Sequence, residues 1–187
     1  MSIAGGEGDP LRGLSHAHRL FGDAARAREF IQDALTIARD HRNPAWEAFW
    51  SLEEGRVLVA LGTPAEALAP YQRAASLQRQ LDDRVREAAA LDATGEAYQA
   101  LGRHEDAAEF HRYAVDIFQR FDERWPLAVA LHNLAAALLT TGESQAAATH
   151  LDEAATLLTA YDDPAARRLY TEVETLRQPP ADDTPTT

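Results

Sequence analysis

Residues 100–118 read ALGRHEDAAEFHRYAVDIF, and the spacing of small residues in this stretch returns along most of the chain. Four glycines lie 40 residues apart, at Gly22, Gly62, Gly102 and Gly142. An alanine follows each glycine after five positions and another after twelve: Ala27 and Ala34, Ala67 and Ala74, Ala107 and Ala114, Ala147 and Ala154. A period of this length and regularity is typical of a chain built from stacked repeats.

Each repeat contains two amphipathic helices. Two further positions of the helix after the glycine are mostly apolar, namely Ile31, Tyr71, His111 and Leu151, then Ile37, Leu77, Ile117 and Leu157. Together with the alanines they give the spacing of one buried helix face. The pattern predicts helices over residues 23–40, 44–61, 64–81, 84–101, 104–121, 125–140, 144–161 and 165–177, preceded by a less apolar helix over 11–20.

The boundaries between these helices carry turn and capping residues. Gly62 and the two glycines that follow it in the series are suited to the left-handed conformation that ends a helix. Thr63 and Glu66 are spaced as a capping box around the first-turn Pro64. Pro70 lies well inside the helix that follows, where it removes a backbone hydrogen bond and predicts a local bend.

Composition excludes several classes of function. The chain has 187 residues, 45% of them apolar, no cysteine and a net charge of −12, with arginine as its only strongly basic residue type. A nucleic acid would be repelled by such a surface, and disulfides and thiolate metal sites are excluded. No segment is apolar for long enough to span a membrane, and the first residues lack a signal-peptide pattern. We therefore expect a cytoplasmic protein that contacts neither nucleic acid nor membrane.

The histidines do not form a recognisable catalytic or metal site. His104 and His111 are seven residues apart, whereas two zinc ligands on one helix face are separated by four. His111 takes a position that is apolar or aromatic in the other repeats, which favours a packed imidazole over a ligand. No phosphate-binding loop or serine nucleophile motif occurs. The sequence predicts no enzyme, no cofactor and no metal.

The repeats resemble the tetratricopeptide repeat. The family's signature of small and aromatic residues is matched by Gly95, Tyr98, Ala107 and Ala114. The resemblance covers residues 11–177 and is strongest to the variety with a longer second helix, which is found in kinesin light chains and in actinobacterial regulators. It implies an all-α, right-handed solenoid of about four helical hairpins with a C-terminal capping helix. Residues 1–10 and 178–187 are expected to be disordered.

The resemblance also implies a site on the inner face of the array, formed by the first helix of each repeat. Carried over position by position, the groove residues are Phe49, Leu52, Glu53 and Arg56, then Asp92, Glu96 and Gln99, and finally His132 and Asn133. We expect a protein or peptide partner that carries basic residues, because three of these side chains are acidic. The alternative function is the sensor arm of a larger bacterial transcription regulator or nucleotide-dependent switch protein. An enzyme with an unrecognised site is a remote alternative.

Three aromatic residues, Trp46, Phe49 and Trp50, interrupt the small-residue pattern of the second repeat. The later repeats carry Ala90 and Ala130 where Trp50 stands. We interpret Trp50 as filling space between the first and second repeats, and Phe49 as the candidate anchor for an apolar partner segment.

Overall fold

The computed structural model describes residues 24–178, and every regular element in this range is an α-helix. The helices are α1 (Ala24–Asp40), α2 (Pro44–Ala60), α3 (Pro64–Gln80), α4 (Arg84–Ala100), α5 (His104–Arg120), α6 (Arg124–Thr140), α7 (Ser144–Leu158) and α8 (Pro164–Arg177). The predicted all-α repeat array is confirmed. The predicted helix over 11–20 and the segments expected to be disordered, 1–10 and most of 178–187, lie outside the described residues.

The turns repeat every 20 residues, twice as often as the glycines. In the six turns between α1 and α7 the middle residue has a positive φ, which is 49° at Arg42 and between 73° and 87° at Gly62, Gly102 and Gly142. Asp82 and Asp122 adopt it at 58° and 53° in the alternate turns. Each turn is closed by a hydrogen bond to the carbonyl five residues earlier, as from Thr63 N to Leu58 O at 2.9 Å. This bond is the signature of the Schellman motif.

Side chains cap some of these helices, although not the one where the capping box was predicted. Asn43 and Asp83 each accept a hydrogen bond from a first-turn N–H of the next helix. The prediction for Thr63 is wrong, because its hydroxyl donates to Leu58 O at 3.1 Å and makes no cap. Glu66 instead binds Arg28 at 3.4 Å. The turn carbonyl competes successfully for the Thr63 hydroxyl because both lie in the same tight turn.

The helices pack as consecutive antiparallel pairs, and the predicted small positions lie where two helices meet. Ala67, Ala107 and Ala147 are completely buried. The first helices α2, α4, α6 and α8 also contact one another along one side of the stack. We call this side the inner face. The register read from the sequence is confirmed, since Ile31, Tyr71, His111 and Leu151 are all buried.

The end of one helix differs from expectation. Helix α7 ends at Leu158, before the predicted residue 161. The residues that follow α7 do not adopt a positive φ, and Tyr161 instead packs edge-on against Trp125 at 5.3 Å. Helix α8 then covers the end of the array, and its residues Ala166 and Val173 are buried against the preceding helices.

Ala114→Leu is expected to lower the free energy of unfolding by about 1–3 kcal/mol. Ala114 is completely buried in the core formed by the third and fourth repeats, so three added carbon atoms must displace packed neighbours. Chemical denaturation followed by circular dichroism measures the loss. Glu109→Ala, at an exposed position of the same helix, is the matched control. An equal loss in both variants would contradict the helix register described above.

Candidate functional site

The first part of the predicted groove is a small apolar pocket between α2 and α4. Phe49, Leu52 and Arg56 line it from α2, and Ala89 and Ala90 line it from α4. Its volume is about 250 Å³, which is near the lower end of the range for ligand pockets. We call it the inner pocket. The structure thus brings the predicted α2 residues together around one cavity.

Phe49 and Trp50 lie in different environments, one at the inner pocket and the other in the core. Trp50 is 1% exposed and makes edge-to-face contacts with Phe30 at 5.6 Å and with Phe49 at 4.9 Å. Its neighbours include Ile31 and Leu35 of α1. Trp50 therefore fills the space between the first and second repeats, as expected. Phe49 is half-buried and presents the rest of its ring to the inner pocket.

Glu53 does not offer a free negative charge to the groove. Its side chain is buried, and its carboxylate binds the Arg56 guanidinium at 2.7 Å. Half of the Arg56 side chain is still exposed. The sequence grouped Glu53 with the acidic groove residues, but this ion pair makes the α2 side of the pocket nearly neutral and leaves Arg56 as its accessible polar group.

The negative charge of the groove lies one repeat further on, at Asp92 and Glu96 of α4. We call these two residues the carboxylate pair. The Asp92 carboxylate binds Nδ1 of the completely buried His111 at 2.6 Å. His111 was predicted to be a packed imidazole, and it is packed, but it also fixes Asp92 from below. The sequence signal for this bond was the polar residue Asp92 in the neighbouring helix, but sequence spacing alone did not reveal that Asp92 and His111 bond each other.

The fourth repeat holds the carboxylate pair from the other side. Asn133 of α6 donates its side-chain N–H groups to Asp92 at 3.3 Å and to Glu96 at 3.4 Å. Gln99 donates to the backbone carbonyl of Asn133 at 3.1 Å, and the Asn133 side-chain oxygen lies 3.3 Å from Nδ1 of His132. The predicted residues Asp92, Glu96, Gln99, His132 and Asn133 therefore form one hydrogen-bonded network across two repeats.

The two carboxylates oppose each other electrostatically. Desolvation in the groove, reinforced by the nearby negative charge of Asp92, raises the pKa of the Glu96 carboxyl. The charges of His111 and Arg56 and the bond from Asn133 act in the opposite direction without cancelling this effect. Glu96 keeps an exposed surface toward the groove. A cation placed beside Glu96 would relieve the repulsion.

Glu96→Gln is expected to raise the free energy of unfolding at pH 7 by up to about 1 kcal/mol, the range of an exposed charge interaction. A raised pKa means that the folded state favours the protonated acid, so stability from this group is present at low pH and is lost as the pH rises past the ordinary carboxyl range. The gain should therefore be smaller near pH 4. Urea unfolding at both pH values measures it, with Glu109→Gln as the control. Equal gains at the two pH values would contradict the assignment.

Within residues 24–178, no three histidine or acidic side chains are grouped as a metal site would require. In the same part of the chain, no helix is both long enough and apolar enough to cross a membrane. His104 and Glu105 lie at the start of α5, and neither joins the network around the carboxylate pair.

The repeats match a known family. The tetratricopeptide repeat family model matches residues 47–120, which comprise nearly all of the second and third repeats. These two are tetratricopeptide repeats. The fourth repeat continues the turns at Asp122 and Gly142 and the same buried positions, although α7 has 15 residues where α6 has 17. No curated protein sequence matches the chain.

Solved structures of low sequence identity share the fold of this helical repeat array. A putative kinesin light chain from P. anserina with nearly identical repeats has a TM-score of 0.73 at 18% identity, over 91% of this chain and 87% of its own. BtubC from P. vanneervenii has a TM-score of 0.72 at 15% identity, over 90% and 79%. RapI in its apo form has a TM-score of 0.79 at 14% identity, over 92% of this chain and 49% of its own. The expected likeness to kinesin light chain repeats is confirmed for the fold.

Proposed function

We propose that the chain is a non-enzymatic scaffold that binds a protein or peptide partner on its inner face. Stacked helical hairpins of this fold present a continuous surface on which an extended segment can lie. The observation that carries the proposal is that α4 lines the inner pocket with Ala89 and Ala90 and bears the carboxylate pair in its next two turns, where the charge of Arg56 at the pocket acts on Glu96. The pocket supplies an apolar anchor site at Phe49 and Leu52, and the carboxylate pair supplies charge.

The same arrangement favours a partner with basic residues. Asp92 and Glu96 are held close together by Asn133, and burial together with the nearby negative charge of Asp92 raises the pKa of Glu96. An arginine or lysine of the partner would supply the missing positive charge. We infer a partner segment with an apolar side chain for the inner pocket and a basic side chain for the carboxylate pair.

A second candidate is that the array serves as the sensor arm of a larger regulator. The chain spans about half the length of RapI, so an array of this fold also occurs within a longer protein. The reading frame upstream of residue 1 tests this candidate. A continuous DNA-binding or nucleotide-binding domain there would support it, and a stop codon in frame would oppose it.

Selection from a phage-displayed peptide library on the purified chain tests the scaffold function. We expect enrichment of peptides in which an apolar residue precedes arginine or lysine. Phe49→Ala and the double variant Asp92→Asn/Glu96→Gln should each lower the affinity for the selected peptide by about 30-fold, the effect of an interface hot spot. Arg56→Ala and Asn133→Ala should weaken it less, because Arg56 borders the pocket and Asn133 acts through the carboxylate pair.

Helicity is measured for every variant, and Glu109→Ala is the control for an exposed residue away from the inner face. Binding lost with helicity intact supports the inner face as the site. Enrichment of acidic peptides, with affinities that none of the inner-face variants changes, would place the principal site on another surface.

A further inference from the structure

A second cavity lies at the third repeat where α3, α4 and α5 meet, and the second helices α3 and α5 form its two sides. Its volume is about 470 Å³, which is within the range of small-molecule and peptide side-chain pockets. Leu91, Phe110 and Ile117 contribute apolar surface, and the rim carries Arg79, Arg84, Tyr113 and Arg120. We call this cavity the outer groove.

A buried carboxylate fixes two of the rim arginines. Glu87 is completely buried at the base of the outer groove. One of its oxygens binds Arg79 at 2.6 Å and the other binds Arg84 at 2.7 Å. The Arg79 and Arg84 side chains are nevertheless 65% and 39% exposed. Their guanidinium groups therefore stay accessible while their positions are restrained, which lowers the entropy lost when they bind an anion.

The third rim arginine is not neutralised. Arg120 is exposed at the end of α5, and it forms no ion pair with any residue between 24 and 178. Asp116 also borders the groove but is not bonded to Arg120 in the structure. Three arginines thus face two carboxylates in a chain whose net charge is −12. The outer groove is a local positive exception on an acidic molecule.

Comparison of the repeats shows why the groove is uncovered in the third repeat. In the second repeat, Arg73 of α3 binds Glu47 of α2 at 3.1 Å, and this bond holds the pKa of Glu47 below its usual range. Arg39 of α1 binds the same carboxylate at 3.2 Å, so α1 and α3 are linked through Glu47. In the fourth repeat, Glu153 at the register of Arg73 accepts a hydrogen bond from Gln119 of α5 at 3.2 Å, which links α5 and α7 directly.

Tyr113 occupies that register in the third repeat and makes no such bridge. Its ring is 53% exposed, and its hydroxyl donates along its own helix to Glu109 at 3.4 Å. Glu87 corresponds to Glu47 by the 40-residue period. Its carboxylate is bound by Arg79 and Arg84 at the rim, and not by the residue at position 113 of α5. The third repeat therefore combines an uncovered apolar cavity with an exposed aromatic ring and a fixed arginine rim.

We propose that the outer groove binds an acidic segment of a partner protein, with carboxylates on Arg79, Arg84 and Arg120. One bulky apolar side chain of the segment enters the cavity beside Leu91 and Phe110 and packs under Tyr113. Aromatic and arginine side chains are the groups that dominate interface energies. The charge of this site is opposite to that of the carboxylate pair, so the two surfaces select different partner segments.

The probe is a fluorescein-labelled peptide with blocked ends and the sequence Glu-Asp-Phe-Asp-Glu, titrated with the full chain and followed by fluorescence anisotropy. Binding should weaken with rising salt, because the contacts are largely ionic. Peptides with Gln-Asn-Phe-Asn-Gln or with Glu-Asp-Ser-Asp-Glu should each bind at least about tenfold more weakly. Equal binding of the serine peptide would overturn the proposal, because charge alone would then account for the affinity.

Tyr113→Arg is the decisive variant. It copies the bridge that Arg73 makes in the second repeat and should cover the groove by reaching Glu87. Although the variant adds a positive charge, we expect it to weaken the acidic probe at least about tenfold. Arg120→Gln should weaken the probe by up to about fivefold, the range of an exposed ion pair. Arg112→Gln, which makes the same charge change elsewhere on α5, is the control and should bind normally.

Tighter binding of the probe to Tyr113→Arg than to the unmodified chain would overturn the proposal. So would failure of the unmodified chain to bind the probe at millimolar concentration. A concentration-dependent dimer that Tyr113→Arg abolishes would assign the groove to a second copy of this chain instead. Inner-face variants such as Phe49→Ala should leave probe binding unchanged, so this test is independent of the function proposed for the inner face.

Discussion

Replacing Trp50 by alanine is expected to lower the free energy of unfolding by about 3–5 kcal/mol, the range for truncation of a buried aromatic residue. The indole is 1% exposed and lies against Phe30, Phe49 and Ile31. No alternative side chain can fill the space, because the rest of this cluster is made of small or already packed residues. The loss should be confined to the first repeats, because each repeat contacts mainly its neighbours.

Urea unfolding followed by circular dichroism measures the total loss. In a Trp46→Phe background, Trp125 is the remaining indole once Trp50 is replaced, and its fluorescence reports separately on the last repeats, where the ring packs against Tyr161. Trp46→Ala is the control, since Trp46 is only half-buried beside His41. We expect Trp46→Ala to cost less than half as much. A loss below about 1 kcal/mol for Trp50→Ala would show that the two first repeats do not depend on this ring.

The fold could be predicted from sequence because the same structural unit is repeated several times along the chain. A single apolar helix pattern is ambiguous at its ends, but alignment of four copies averages the ambiguity out. The starts of α2 to α5 at residues 44, 64, 84 and 104 were predicted correctly for this reason. The end of α7 was not, since the turn after it departs from the pattern of the others and no other copy reports on it.

The turns show a limit of reasoning from glycine. Glycine marks only every second turn, yet Asp82 and Asp122 adopt the same left-handed conformation as Gly62 and Gly102. Aspartate tolerates this conformation because its short side chain can hydrogen-bond locally. The sequence therefore indicated a 40-residue unit correctly but concealed the 20-residue backbone regularity within it.

The sequence predicted which residues lie in the groove, but it did not predict which of them bond one another. Phe49 and Asp92 were predicted from the register of the resembled family, which fixes the face of each helix. Register does not say which polar groups bond one another. Glu53 was counted as a groove charge although Arg56 neutralises it, and His111 was interpreted by its apolar counterparts although it binds Asp92. Neither bond could be predicted from the sequence, because the rotamers of polar side chains depend on their three-dimensional neighbours.

The polar substitutions within the repeat pattern coincide with the two candidate binding surfaces. His111 and Asn133 hold the carboxylate pair on the inner face. Tyr113, two residues from His111, leaves the outer groove uncovered on the other side of the same helix pair. Departures from a repeat consensus that have no packing advantage are expected at functional positions. The third repeat is therefore the part of the array in which both proposals should be tested first.

Gly55→Ala is expected to lower the free energy of unfolding by about 3 kcal/mol, the upper part of the range for overpacking a core. A Cβ atom at Gly55 would lie 2.7 Å from Cζ of Tyr71 and closer still to two other ring atoms. Tyr71 is 1% exposed, so its ring has no free space to enter. This loss should exceed the gain of about 1 kcal/mol that alanine normally brings to a helix interior.

The fourth repeat suggests a background in which Gly55→Ala should no longer be destabilising. There Ala135 and Leu151 take the registers of Gly55 and Tyr71, and both are buried. In a Tyr71→Leu background, Gly55→Ala should therefore be neutral or stabilising by up to about 1 kcal/mol, the helix propensity gain alone. The double-mutant cycle, measured by urea unfolding, should give a coupling energy of about 3–4 kcal/mol, the difference between these two effects of Gly55→Ala. Additive effects of the two substitutions would mean that Gly55 and Tyr71 are not in contact, and the pairing of α2 with α3 would have to be revised.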